Sequence, residues 1–70
     1  MRTPRSGYYI HSADQEGARA IDNNFAYTEE EALYKESLVK ATTKYPHAVH
    51  IWKACIHDEG NRRYWTPRND

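Results

Sequence analysis

Four histidines, one cysteine and a run of arginines beside aromatics are the residues of this 70-residue chain whose types could do chemistry. His47, His50 and His57 fall in or beside one strand-like stretch, and His11 in another. Side chains alternate faces along a strand, so regular alternation sets His50 opposite both His47 and His57. Zinc asks for about four ligands converging at roughly 2 Å. A single Cys, with no C-x-x-C and no H-E-x-x-H spacing, gives no such set, and no metal site is expected. Cys55 and His57, two apart on one face, are the residue types of an activated thiolate. Same-strand neighbours point in parallel, whereas a nucleophile needs its base aimed at it, so Cys55 reads as a small apolar core residue. His11 and His50 with Arg62 or Arg63 have the types for acid–base cleavage of RNA, but a chain of net charge +0 has little field to steer a polyanion. No catalytic residue and no cofactor are expected.

Arg62-Arg63-Tyr64-Trp65 is the stronger constellation, with Tyr8 and Tyr9 expected on a neighbouring strand. Aromatics beside arginines on a sheet stack and clamp single-stranded nucleic acid. The same composition dominates the energetic centres of protein–protein interfaces. Zero net charge, the lack of an RNP-type glycine-aromatic motif and the acidic Glu29-Glu30-Glu31 turn all weigh toward protein. Arg62, Arg63, Tyr64, Trp65 and the nearby Glu59 are therefore the candidate partner-binding residues. Alternation places Arg63 and Trp65 on one side and Arg62 and Tyr64 on the other. In a chain with one Phe, Tyr and Trp must also supply much of the core.

The elements that position these residues follow from local signals. Residues 1–6 read as a loose arm, and Tyr8–Ser12 as a first strand after Gly7. Ala18–Tyr27 stays open between no strand and a second strand around Ala18–Ile21, with Asp22-Asn23-Asn24 breaking the chain before Phe25. Thr28-Glu29-Glu30-Glu31 has the spacing of a capping box and puts three carboxylates at the positive end of a helix. The spacing predicts a helix over 28–45, stopped by Pro46. Leu33, Tyr34, Leu38, Ala41 and Tyr45 share one arc of about 140°, with Lys35, Glu36, Val39, Lys40 and Thr43 on the remainder; the first set is expected to face the sheet. Residues 47–66 predict a β-hairpin, with His47–His57 and Arg62–Thr66 as strands and Asp58–Asn61 as the turn. Neither face of the first strand is clean, and a bulge near Trp52-Lys53 would gather Val49, Ile51, Ala54 and Ile56 on one side.

Together these make a single α+β domain over 1–70, a small antiparallel sheet of three to four strands with one α-helix packed across one face. At 8.2 kDa there is no volume for a deep cleft. No apolar run approaches the roughly 20 residues of a membrane span. A lone cysteine and an N-terminus without an apolar h-region predict a cytoplasmic protein. The layout, a strand, a T-E-E-E-A helix start at Thr28–Ala32 and a hairpin ending in Tyr64-Trp65, is similar to that of small phage-encoded inhibitors of the anti-CRISPR or host-takeover type. That resemblance is one of size and architecture, and it carries over no functional residue. It implies a non-enzymatic inhibitor, an anti-defence protein that sterically blocks a larger protein complex of host defence or nucleic-acid processing. Binding of single-stranded nucleic acid is the alternative. An exposed edge strand also admits a homodimer.

Overall fold

The computed structural model describes residues 4–15, 21 and 23–69. Strands β1 (Arg5–His11), β2 (Phe25–Ala26), β3 (His50–Glu59) and β4 (Arg62–Pro67) form a four-stranded antiparallel sheet in the order β2-β1-β3-β4. Helix α1 (Glu29–Thr42) connects β2 to β3 and packs over β1, β2 and the start of β3. The fold is α+β, as the sequence pattern implies. Strand β1 starts earlier than expected, because Arg5 and Ser6 already pair with Ile56 and Cys55. Residues 1–3 of the expected arm lie outside the described residues.

The start of α1 is the expected one. Thr28 is extended, and its hydroxyl accepts from the Glu31 N–H at 3.1 Å. The Glu31 carboxylate is turned along the helix to Lys35 Nζ at 3.3 Å. The end differs: α1 stops at Thr42, short of Tyr45. Asp14 supplies the reason. Its carboxylate accepts from the Thr43 hydroxyl at 2.5 Å, from the Ser12 hydroxyl at 2.6 Å and from the Lys44 N–H at 2.9 Å. Those three donors, Ser12 foremost, hold the Asp14 carboxyl well below the usual carboxylate range. They also draw the chain out of the helix before Pro46 is reached. Pro46–Ala48 then forms a 3₁₀ turn, so β3 begins at His50 and not at His47.

The helix is rotated from the expected orientation. Ala32 and Val39 are its buried residues, whereas Leu33, Tyr34, Leu38, Ala41 and Tyr45 are exposed. Polar tethers on the packed side explain the choice. Lys35 lays its stem against the sheet and donates from Nζ to Phe25 O at 2.7 Å. Gln15 Nε2 donates to Thr42 Oγ1 at 2.9 Å, and Thr43 is bound by Asp14. Small Ala32, 1% exposed, lets the helix settle close to β1 and β2.

Among the described residues two small cores form, one on each face of the sheet. Ile10, Ala26, Ala32, Val39 and Val49 pack under the helix, with Tyr8 and Ile51 against them. Tyr9, Ile21, Phe25, Ala54 and Ile56 pack on the opposite face, with Trp65 against them. Regular β1–β3 pairing from Arg5↔Ile56 to His11↔His50 leaves no place for the expected bulge at Trp52-Lys53. The faces of β3 look unclean in sequence because its two halves are buried on opposite sides. The second strand lies at Phe25–Ala26; of the alternative stretch Ala18–Ile21, Ala18–Ala20 falls outside the described residues, and Ile21 is buried in the second core. A Cβ on Gly7 would run into the Ala26 carbonyl oxygen and come within 2.8 Å of the Phe25 ring, so only glycine allows β2 this close. At the hairpin, Asp58 and Glu59 remain in β3 and the turn is Gly60-Asn61. Gly60 has φ 67° and no described non-glycine residue has positive φ, the pattern of a type II′ turn.

Candidate functional site

Because α1 covers β1, β2 and the start of β3, the hairpin beyond it keeps its helix-side face open. Alternation brings Lys53, Cys55, His57 and Glu59 of β3 and Arg62, Tyr64 and Thr66 of β4 onto that face. The Tyr64 ring stacks on His57 with centroids 4.6 Å apart and planes at 9°. The Arg62 guanidinium lies 4.9 Å from the Tyr64 centroid, a cation–π contact. Tyr64 donates its hydroxyl to Glu59 Oε1 at 3.2 Å. His57 Nε2 and Thr66 Oγ1 are hydrogen-bonded at 2.8 Å. Partial burial first, and then the negative charge of Glu59, push the Tyr64 phenol above its ordinary pKa. The result is a column of Arg62, Tyr64 and His57, with Tyr64 tied to Glu59 and His57 to Thr66.

The five expected contact residues therefore divide. Arg62, Tyr64 and Glu59 come together. Arg63 lies opposite Asp58 on the other face. Trp65 is half-buried there, stacked on Tyr9 at 4.5 Å and 9°, with Trp52 at 6.3 Å. Strands β1 and β4 are not neighbours, yet Tyr9 and Trp65 meet because Ala54 on the intervening β3 is too small to part them. Trp65 thus carries a packing role as well as surface.

Sequence reasoning missed His57, Thr66 and Arg68. Counting outward from the Gly60-Asn61 turn sets His57 against Tyr64, and the turn was placed too broadly for that count. Arg68, just past β4, is tied back to the sheet: its N–H donates to Lys53 O at 2.9 Å, its Nη2 donates to Gly7 O at 3.0 Å, and its guanidinium lies 5.7 Å from the Tyr8 ring.

The other constellations are not assembled. His11 pairs with His50 at one end of the β1–β3 ladder, while Arg62 pairs with Glu59, nine residues along β3 and about 30 Å away at 3.3 Å per residue. Cys55 is half-buried, with Sγ 3.7 Å from Ser6 Oγ, and belongs to neither core, contrary to its reading as a core residue. Among the described residues no group of three or more His, Cys, Asp or Glu is placed to hold a metal ion. No described helix is long and apolar enough to cross a membrane. Compared with known proteins, the chain matches no family model, and neither a curated protein nor a solved structure matches it at a significant level.

Proposed function

We infer that this chain is a non-enzymatic protein-binding module of the cytoplasm, an inhibitor that acts by covering a surface of a larger protein complex. One observation carries the reading: the open face of the hairpin bears Arg62, Tyr64 and His57 already stacked and tied to Glu59 and Thr66. Rigid aromatic and arginine anchors that lose little freedom on binding are the side chains that dominate protein interfaces. A contact area of about 800 Å² on this partner would suffice.

Single-stranded nucleic acid is the second reading, favoured by the arginines over Tyr64 and Tyr8. Two features count against it. Glu59 sits within the column, and the Tyr64 ring is already stacked on His57 and covered by Arg62, so a base would have to displace one of them. Capture from a bacterial lysate, with and without nuclease and at two salt concentrations, separates the readings. A protein complex retained after nuclease and in high salt supports the inhibitor. Nucleic acid alone, lost as salt rises, refutes it.

A further inference from the structure

The outward side of α1 carries more apolar surface than the side it buries. Leu33 is 55% exposed, Tyr34 65%, Leu38 49% and, just past the helix, Tyr45 55%. Exposed Ser37 and Ala41 lie between them. Soluble monomers rarely leave a contiguous apolar patch of this kind in water unless something binds it. We propose that this stripe mates with the same stripe of a second copy of the chain, the two α1 helices running antiparallel about a two-fold axis at Ser37.

The charge pattern selects that occupant. At about 100° per residue, Glu30, Leu33, Tyr34, Ser37 and Ala41 share the outward side of α1. Glu29, Glu30 and Glu31 fill the first turn, Lys40 lies in the last, and exposed Lys44 follows the C-cap. With Ser37 opposite its own counterpart, Leu33 meets Ala41, Tyr34 lies beside Lys40, and Glu30 lies at the end of the partner's helix, which Lys44 follows. Two-fold symmetry repeats each of these contacts, so both acidic ends meet basic ends. The antiparallel arrangement also opposes the two helix dipoles favourably. A parallel pair would set three glutamates against three glutamates. Ser37 and Ala41, small and one turn apart, let the axes approach toward the short end of the usual range of about 8–10 Å. The stripe points away from the sheet, so the dimer leaves both hairpin faces uncovered and presents them as a pair.

Sedimentation equilibrium on the purified chain tests the proposal. The parent is expected to reach twice its 8.2 kDa mass in the micromolar range. Tyr34→Glu should raise the dimer dissociation constant by at least about tenfold with the circular dichroism spectrum unchanged. Glu30→Lys and Lys44→Glu should each weaken self-association by about tenfold, through like charges at both ends. Mixed one to one, those two variants recreate opposite charges at both ends and should associate as the parent does. A parent that stays monomeric to millimolar concentration overturns the proposal. So does a dimer indifferent to Tyr34→Glu, which would place the contact elsewhere, and so does a mixture that fails to restore association.

Discussion

Adjacent residues on α1 give opposite expectations for the same substitution. Val39 is 4% exposed among Ile10, Ala26, Ala32 and Val49, whereas Leu38 is 49% exposed. Burying a Val or Leu side chain is worth about 1.5–3 kcal/mol. Leu38→Glu forfeits about half of that, near 1 kcal/mol, and Glu is almost as good a helix former as Leu. Val39→Glu forfeits all of it and also brings a carboxyl into an apolar core, a further few kcal/mol. A domain of this length has about 4–10 kcal/mol of stability in total, so Val39→Glu should leave little or no folded population. Leu38→Glu should lower the melting temperature by only about 5 °C. Thermal unfolding followed by circular dichroism, in dilute solution where self-association does not contribute, reads both. If Leu38→Glu unfolds the chain and Val39→Glu does not, the helix faces the other way and the reasoning about its polar tethers is refuted.

Gly7→Ala should cost about 1–3 kcal/mol by forcing β2 off β1; a urea midpoint equal to the parent's would contradict that close approach. Gly60→Ala forces a side chain into the left-handed region at the hairpin turn and should cost about 1–2 kcal/mol in the same assay. For Asp14, the folded chain holds the carboxyl proton less tightly than the unfolded chain does. Its contribution is therefore present above about pH 3.9 and fades as the pH falls below that value toward the depressed native one. Asp14→Asn should melt lower than the parent at neutral pH, with the gap closing in acid. The Tyr64 phenol, raised in the fold, adds stability below about pH 10 that is lost above it; an ultraviolet titration should show a late-titrating component that Tyr64→Phe removes and Glu59→Gln moves earlier.

What could be read in advance was the local chemistry. Thr28 and the glutamates after it mark a helix start whatever lies around them, and the polar, glycine-bearing stretch Asp58–Asn61 between two β-rich runs marks a hairpin, though not its exact turn. The helix face was not readable, because counting apolar residues favours Leu33, Tyr34 and Leu38. The packed side is decided by distant polar partners: Phe25 O for Lys35, Gln15 for Thr42 and Asp14 for Thr43. None of those pairings leaves a period in the sequence. A two-residue β2 is too short for any alternation to reveal, and it exists because Gly7 on another strand makes room. Within the candidate site, residue types pointed to Arg62 and Tyr64, while His57 depended on the register set by a turn of two residues.

The binding role of the hairpin face is tested most directly by repeating the lysate capture, after nuclease and in high salt, with the parent, the Arg62→Ala/Tyr64→Ala double variant and Tyr34→Glu side by side. The result expected is one protein complex held by the parent and by Tyr34→Glu and lost from the double variant while its circular dichroism spectrum stays that of the parent. Equal capture by all three, or loss with Tyr34→Glu alone, would contradict the assignment of partner binding to this face.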